Sequence, residues 1–364
     1  FGVIIGAIAY LAVNIPVIIE AGVMPRLCIP KFSFMLPIMR DSIPRSLALG
    51  VGSFVALALT AIASRIGAGA ISVFTFAINL ESVPLALIGA SYAVAAFPAL
   101  SEASALEKRD DFTRILSSSA RHIILWSIVS LGLIIVLRAH IVRVILGTGA
   151  FDWNATRLTA AMLAVLAVGL AAQGLAILFS RALYAARQSW RPLFYQLAGG
   201  ALTIILAVAF LTIGNTELPS SIAVLLRVGD VHGTAILFLA LSSTIGQIFL
   251  AILSLIALRG VAPGLAKTLV RPCVDGSIAA FVGGAAAYAV LVVEGGIAPL
   301  ITLTAVFTQG FIAGLTGLVA SAVTLFFLEN EEFRIVANSL IRLIRSPDER
   351  ATVLAPSAEE PTKP

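Results

Sequence analysis

Polar side chains inside a long apolar run are the first candidates for chemistry in this sequence. Residues 70–100 are mostly apolar but contain five polar side chains just before Pro84: Ser72, Thr75, Asn79, Glu81 and Ser82. In an apolar environment such a group is costly unless it is paired or faces a cavity. For Asn79 and Glu81, a cavity wall that binds a head group or cation and an interhelical hydrogen-bond cluster at a kink are equally good interpretations. For the hydroxyl groups the hydrogen-bond cluster is favoured.

A second candidate lies where another apolar run ends. Arg181 is followed closely by two more arginines, Arg187 and Arg191. A guanidinium group pairs with phosphate oxygens through two parallel hydrogen bonds, so Arg181 is a candidate phosphate ligand. Arginines at the end of a membrane span also orient the chain, and this simpler role is at least as well supported.

Catalytic, metal and nucleotide sites have no support in the sequence. No Ser/His/Asp or Cys/His arrangement, no facing carboxylate pair and no phosphate-binding GxxxxGK[ST] loop is present. The three histidines are scattered, and Cys28 and Cys273 belong to no CxxC motif. We therefore expect no catalytic residue, no metal and no cofactor, and a chain that is not an enzyme.

The composition requires an apolar solvent. Hydrophobic residues make up 59% of 364 and charged residues 12%, with a mean hydropathy of +1.04. A soluble domain is about 25% charged, so this chain could not cover its surface in water. The net charge of +5 comes from residues spread between apolar runs rather than from one basic patch. A membrane lipid is therefore the expected partner, and a nucleic acid is not.

Nine apolar stretches are long enough to cross a membrane as helices, which takes about 20 residues. The expected fold is therefore an all-α, multi-pass membrane protein with about nine spans. The third stretch is expected to be interrupted at Pro84. The stretches are 1–20, 44–64, 70–100, 118–138, 157–184, 192–213, 231–258, 274–293 and 297–328.

The distribution of basic residues predicts the topology. With the C-terminus inside the cell, 19 of the 24 Lys and Arg residues fall in inside segments. The other five fall outside: Arg65, Arg138, Arg143, Arg157 and Arg227. Basic loops of membrane proteins stay in the cytoplasm, so a cytoplasmic C-terminus is expected. Nine spans then place Phe1 outside, which suggests that further spans precede it.

The chain changes character after the last span. Residues 329–345 alternate apolar and charged side chains at helical spacing, with acids first and arginines last. This order suits the helix dipole and predicts an amphipathic helix on the inner membrane surface. Residues 346–364 are rich in proline and charge and are expected to be disordered.

Two stretches carry a family resemblance. Residues 147–192 contain a GAF core, a long apolar helix and an RALYA segment before Pro192, and residues 84–102 read PLALIGASYAVAAFPALSE. In order and spacing they resemble the MurJ/MviN family of lipid II flippases, within a larger superfamily of multidrug and polysaccharide exporters (MATE/MOP). The matching positions are Gly149, Ala150, Phe151, Thr159, Gly169, Arg181, Ala182, Tyr184, Ala185 and Pro192, and Pro84, Leu85, Gly89, Ala93, Pro98, Leu100 and Ser101.

The resemblance implies a domain plan. The family fold has two lobes of six helices and two extra C-terminal helices, and this chain is similar to its last nine. It implies the last helix of an incomplete N-terminal lobe at 1–20, a cytoplasmic linker at 21–43 and a six-helix lobe at 44–258. The extra helices at 274–328 would form a groove for a lipid tail. The amphipathic helix at 329–345 and the tail at 346–364 follow.

The resemblance also implies a function and a location. Family members move the undecaprenyl-linked peptidoglycan precursor across the bacterial inner membrane by alternating access, which would make this precursor the partner. The candidate cavity residues are then Ser72, Asn79, Glu81, Ser82 and Arg181. Alternatives are an exporter of another lipid-linked saccharide or small solute, and a non-transporting scaffold for envelope assembly. The oligomeric state is left open.

Several positions depart from the family pattern. Asn79 stands where the family usually has an arginine that faces the cavity, and Ser82 stands where an acid is common. Glu81 lies one residue away from that position, on a different helix face. Thr60 and Thr203 replace an Asp and an Asn of a proposed cation site. The resemblance therefore does not extend to sodium coupling through these residues.

Overall fold

The computed structural model describes residues 2–20, 22, 32–147, 153–213, 224, 226–295 and 302–345, and all regular structure in these ranges is helical. The chain divides into two compact units, Phe1–Ile43 and Pro44–Pro364. The first unit contains helix α1 (Gly2–Glu20) and the beginning of α2 (Phe32–Ala63). Part of the segment expected as a linker is therefore helical.

The described part of the second unit contains the rest of α2, nine longer helices and two short ones, Thr234–Ile236 and Leu265–Thr268. Eight helical segments of the described chain are long and apolar enough to cross a membrane, or nine when α5 and α6 count as one bent span, which confirms the expected fold class. The further helices are α3 (Ala70–Ala105), α4 (Arg109–Leu146), α5 (Trp153–Val168), α6 (Leu170–Ala185), α7 (Trp190–Ile213), α8 (Leu237–Leu258), α9 (Val270–Gly295), α10 (Leu303–Phe327) and α11 (Glu331–Arg345).

Large apolar side chains cover the outer surfaces of these helices. Phe281 on α9 and Phe327 on α10 are 78% and 77% exposed, and Phe311 and Leu315 of α10 are also exposed. Such surfaces would be costly in water, but hydrocarbon chains solvate them. The exposed apolar faces therefore mark where the second unit meets lipid.

Small residues hold neighbouring helices close together. A methyl group on Gly283 of α9 would lie 2.6 Å from the carbonyl oxygen of Gly317 on α10. At the same contact the hydroxyl of Ser321 donates a hydrogen bond of 3.0 Å to the carbonyl oxygen of Ala279. Membrane helices gain stability mainly from such close packing and interhelical hydrogen bonds, because their association buries no surface from water.

The regular α-helical part of α3 ends at Pro84, where an interruption was expected, but the chain stays helical beyond it. Proline has no N–H group and cannot complete the regular ladder of hydrogen bonds. The turn that follows, Leu85–Ala90, is instead a wider π-helical turn, and regular helix resumes at Ser91. The span is locally rewound rather than broken.

The fifth predicted stretch consists of two helices. Helices α5 and α6 meet at Gly169 with a bend of 47°. The Gly169 N–H donates to the carbonyl oxygen of Leu166 at 2.8 Å, three residues back. The carbonyl oxygen of Val165 accepts instead from the hydroxyl of Thr244 on α8, at 3.0 Å. This bond satisfies a backbone group that a bend inside a membrane would otherwise leave without a partner.

The amphipathic helix α11 is tied to the rest of the unit by polar contacts. Arg121 of α4 lies 2.9 Å from the buried carboxylate of Glu332, although the two groups are not aligned as a hydrogen bond. Next to α11, Asn330 donates to the buried carboxylate of Asp275 on α9 at 2.8 Å. The predicted disordered tail, 346–364, lies outside the described residues.

Candidate functional site

One face of α3 presents polar side chains at the surface of the second unit. Residues at spacings of three, four and three along this helix are all exposed and all polar: Ser72, Thr75, Asn79 and Ser82. This spacing aligns them on one side of the helix, and the stripe runs for about 15 Å. Hydrocarbon cannot solvate such a stripe, so it requires water or a polar ligand beside it.

Most polar side chains of this face make no hydrogen bond within the described part of the chain. The hydroxyl of Ser82 donates to the carbonyl oxygen of Asn79 within the same helix, at 2.7 Å. Among the described residues, the side chains of Ser72, Thr75 and Asn79 have no hydrogen-bond partner. Asn79 in particular offers both a donor and an acceptor, and either can bind a ligand or water.

Glu81 points away from this face and into the protein. It is 4% exposed, and its carboxylate accepts a hydrogen bond of 3.0 Å from the side-chain amide of Gln173 on α6. Next to this bond, the π turn of α3 lies directly against α6 through Gly89 and Gly174. Glu81 therefore joins the same two helices that meet at Gly89 and Gly174, in the manner of the hydrogen-bond cluster considered for it.

The close approach depends on two glycines. A methyl group on Gly89 would lie 2.7 Å from the Cα atom of Gly174, a distance that Cβ atoms do not tolerate. A methyl group on Gly174 would lie 2.7 Å from a methyl carbon of Ile123. The contact therefore leaves no room for a side chain at either position.

A pair of arginines forms a second polar region. The guanidinium group of Arg45, near the start of the second unit, lies 5.3 Å from the ring centre of Tyr184 and 5.8 Å from that of Phe97. These are cation–π distances. Arg181 lies close enough to Arg45 for the two positive charges to repel each other. Among the described residues, neither arginine has an acidic partner within 4.0 Å.

Two like charges held together without an acid create a site for an anion. The aromatic rings of Phe97 and Tyr184 contact Arg45, and no carboxylate lies within 4.0 Å of the pair in the described surroundings. Planar guanidinium groups match the oxygen geometry of phosphate. The pair is therefore suited to phosphate, whereas the polar face of α3 offers uncharged hydrogen-bonding groups.

The sequence-predicted residues do not form one cluster. Ser72, Asn79 and Ser82 share the exposed face of α3, Glu81 lies on the buried face, and Arg181 lies beside Arg45. Sequence reasoning treated Arg45 only as a topology signal. Its position directly after Pro44, at the start of an apolar stretch, is the one feature of the sequence that sets it apart from a loop residue.

The positions discussed for cation binding form local contacts. The hydroxyl of Thr60 donates to the carbonyl oxygen of Ala56, and that of Thr203 donates to the carbonyl oxygen of Gly199, both at 2.9 Å within their own helices. In the described part of the chain, no group of three or more His, Cys, Asp and Glu side chains is arranged to hold a metal ion.

Comparisons with known proteins agree with this architecture. The family model for lipid II flippase MurJ matches residues 1–291. A probable lipid II flippase MurJ from Bdellovibrio bacteriovorus is 27% identical over 237 residues, which cover 65% of this chain and 41% of that protein. A solved structure of lipid II flippase MurJ in an inward closed conformation is similar in fold, with a TM-score of 0.59 and 18% identity.

The matched regions differ in extent between the proteins. The structural match covers 85% of this chain and 59% of the solved one, so the chain spans about two fifths to three fifths of the length of these relatives. The family model, however, extends over well more than half of this chain. Taken with the helical architecture, this match establishes that the chain belongs to the MurJ lipid II flippase family.

Proposed function

We propose that this chain takes part in moving the undecaprenyl-linked peptidoglycan precursor across the bacterial inner membrane, as a transporter and not as an enzyme. The observation that carries the proposal is the exposed polar face of α3 in a helix that otherwise crosses lipid. A polar face of this kind suits a water-filled cavity through which a hydrophilic head group passes. Ser72, Asn79 and Ser82 are the residues of this wall.

The polar face of α3 has no charged side chain to bind an anionic head group, and the pair Arg45 and Arg181 supplies positive charge for this purpose. Arg45 and Arg181 lie near Phe97, toward the end of α3 opposite Ser72. In the proposed topology this is the cytoplasmic end, where the substrate enters. The pyrophosphate that links a lipid carrier to its sugars would displace water from both guanidinium groups and remove their mutual repulsion.

Two helix irregularities are suited to the conformational change of alternating access. The π turn of α3 and the bend between α5 and α6 both lie within membrane spans. Backbone irregularities of this kind change their dihedral angles at lower cost than a regular helix. Because Glu81 and Gln173 join the two regions, a movement at one would be passed to the other.

The charge distribution supports a cytoplasmic C-terminus. Helix α11 lies at the end of α4 that carries Arg121, on the side that the basic loops place in the cytoplasm. Its side chains are acidic at the start and apolar along one face, which suits a helix at the inner membrane surface.

Asn79 favours a second candidate, the export of another lipid-linked saccharide or of a small solute. An amide at a cavity position that the family usually fills with arginine cannot provide a charge to a pyrophosphate. A substrate whose head group carries less negative charge along this part of the path would be compatible with Asn79. A non-transporting scaffold remains the alternative from another class, and it would need no polar face toward a cavity.

The test is complementation in bacteria depleted of their own lipid II flippase. The gene that encodes this chain, cloned with its upstream DNA, is expected to restore growth, together with labelling of the precursor by a membrane-impermeant reagent in spheroplasts. The double variant Arg45→Gln/Arg181→Gln is expected to reach the membrane at the normal level but to lose both. Arg259→Gln, which removes a charge from an exposed loop, is the matched control. If the gene restores growth but precursor labelling stays at the level of the depleted cells, the non-transporting scaffold is favoured instead.

A further inference from the structure

A cavity of about 570 Å³ lies near the end of α4 that is opposite Arg121, and no residue of α3 lines it. Its walls come from the last turns of α4, the first turns of α5, the segment before α8 and the end of α9. Six residues define its character: Arg138, His140, Trp153, Arg157, Arg227 and Tyr288. Neither the proposed transport path nor the family assignment accounts for a basic cavity here.

The cavity carries unbalanced positive charge. Arg157 is neutralised by Asp230, with guanidinium and carboxylate atoms 2.5 Å apart. Arg138 and Arg227 lie close enough to repel each other, and in the described part of the chain neither has an acid within 4.0 Å.

The Nε2 atom of His140 donates to the side-chain oxygen of Gln309 at 3.0 Å, so its buried Nδ1 atom is an acceptor and does not contribute to anion binding. One N–H group of Arg138 donates to the carbonyl oxygen of Ile135 at 2.6 Å. The walls therefore offer the two unbalanced charges of Arg138 and Arg227 to an anionic group.

The cavity lies at the height of a lipid head group. Along α4, Arg121 and Arg138 border a mainly apolar segment whose helical length is about 26 Å, close to the thickness of the hydrocarbon core. Trp153 and Tyr288 are half exposed at the cavity mouth, and these two residue types concentrate at membrane–water interfaces. Arg138 thus marks the second border of the membrane.

An apolar groove continues from the cavity toward the membrane interior. It encloses about 480 Å³ between α4 and α9 and is lined almost entirely by apolar groups, including Leu131, Phe281 and Ala285. Ile135, Val136 and Tyr288 line both spaces, so the two are continuous. A basic chamber at the interface joined to an apolar groove matches a molecule with an anionic head and a hydrocarbon chain.

We propose that this composite site binds an anionic phospholipid of the membrane, with its phosphate between Arg138 and Arg227 and an acyl chain between α4 and α9. In the topology proposed above, the lipid belongs to the outer leaflet. Charge complementarity selects an anionic lipid over a zwitterionic one, and the groove selects a lipid over a soluble phosphate. Asp230 weakens the site by neutralising Arg157.

The test uses the fluorescence of Trp153 at the cavity mouth. The chain is reconstituted into vesicles as the Trp126→Phe/Trp190→Phe variant, so that Trp153 is the single tryptophan. Acyl-chain-brominated phosphatidylglycerol or phosphatidylcholine is added to unbrominated lipid, and quenching is measured against its mole fraction. Brominated phosphatidylglycerol is expected to reach half-maximal quenching at a mole fraction at least about tenfold lower than brominated phosphatidylcholine.

Four variants separate the contributions to the site. Each basic residue near an anionic head group changes its partition by roughly fivefold, so Arg227→Gln is expected to lower the preference about fivefold. Arg138→Gln/Arg227→Gln is expected to abolish it. Asp230→Asn frees Arg157 and is expected to raise the preference. Ala285→Phe fills the exposed groove and is expected to weaken quenching by both lipids.

The matched control is Arg65→Gln, which removes a charge on the same proposed side but does not line the cavity. It should leave the preference unchanged. An unchanged preference in the exposed-loop variant Arg227→Gln, which perturbs no helix, would overturn the proposal. Reversal of quenching by inorganic phosphate would show a simple anion site and would also overturn it. A fall of the preference in Arg65→Gln equal to that in Arg227→Gln would reduce the effect to general surface charge.

Discussion

Replacement of Gly89 by alanine tests the contact that joins the two irregular helices. The new methyl group would lie 2.7 Å from the Cα atom of Gly174, whereas carbon atoms pack at about 3.6 Å. Helices α3 and α6 must therefore separate by about 0.9 Å. The same movement would separate the helices that carry Glu81 and Gln173 and weaken their hydrogen bond of 3.0 Å.

The expected cost follows from these two effects. Overpacking of a close contact costs about 1–3 kcal/mol, and loss of an interhelical hydrogen bond in a membrane about 0.6 kcal/mol. The free energy of unfolding in mixed micelles, measured by titration with sodium dodecyl sulfate, is therefore expected to fall by about 2–4 kcal/mol relative to a matched variant. That variant is Gly50→Ala, because a methyl group at Gly50 meets no atom within 4 Å.

The comparison removes the intrinsic effect of the substitution. Alanine favours helix over glycine by about 1 kcal/mol, and both variants receive this contribution. If Gly89→Ala and Gly50→Ala differ by less than about 0.5 kcal/mol, the helices do not touch as described, and the link between the two irregular helices is refuted.

Three further outcomes are expected. Gln173→Leu should lower the free energy of unfolding by about 1–3 kcal/mol because the buried carboxylate of Glu81 loses its donor, whereas Glu81→Gln should cost less than 1 kcal/mol. Arg121→Ala should speed hydrogen exchange of the amides in α11 by removing its ion pair with α4, as measured by mass spectrometry. The hydrogen bond from Arg157 lowers the pKa of Asp230 from the ordinary 3.8 to about 2. The ionised Asp230 carboxylate therefore contributes its full stabilisation above pH 3.8, and this stabilisation is lost as the pH falls through about 2. A carbon NMR titration of the Asp230 carboxyl group can follow its protonation.

Each of these outcomes has a control. Equal destabilisation by the two variants of the Glu81–Gln173 pair would show that the bond has no role beyond packing. For α11, the control is Arg114→Ala, since Arg114 pairs with Asp111 on the exposed surface of α4 and should leave exchange of α11 unchanged. For Asp230, Arg157→Gln should return the carboxyl pKa toward its ordinary value, and a value that stays near 2 would contradict the assigned cause.

The spans could be predicted from the sequence because lipid imposes a simple rule on each helix separately. Every backbone group needs a partner inside its own segment, so a run of about 20 apolar residues is sufficient evidence for a span. The division of α3 into a polar and a buried face also follows from helical spacing. It separates Ser82 from Glu81 although the two residues are adjacent.

The irregular turns could not be predicted, because they depend on distant partners. Gly169 permits a bend, but the bend forms where Thr244 of α8 can receive the freed carbonyl oxygen of Val165. Pro84 indicates that regular α-helix is interrupted, but not that a π turn packed against Gly174 follows it. Proline and glycine therefore locate an irregularity, and the neighbouring helices decide its form.

The site residues are divided in the same way. Arg181 could be selected for its position and chemistry, but its neighbour Arg45 is 136 residues away in the chain and is held by rings from two other helices. The same is true of the basic cavity between α4, α5 and α9, whose arginines were interpreted only as topology signals. Clusters of this kind arise from tertiary packing and leave no local pattern in the sequence.

The proposed substrate cavity requires that water reaches the polar face of α3. In a variant with Cys28 and Cys273 replaced by serine, a cysteine is placed at Ser72, Asn79 or Ser82 and treated in membranes with a charged, water-soluble maleimide. The account predicts labelling of all three cysteines at least about tenfold faster than of a cysteine at Leu315, which is exposed on the apolar face of α10. Labelling as slow as at Leu315 would mean that the face meets lipid, and it would contradict a substrate cavity.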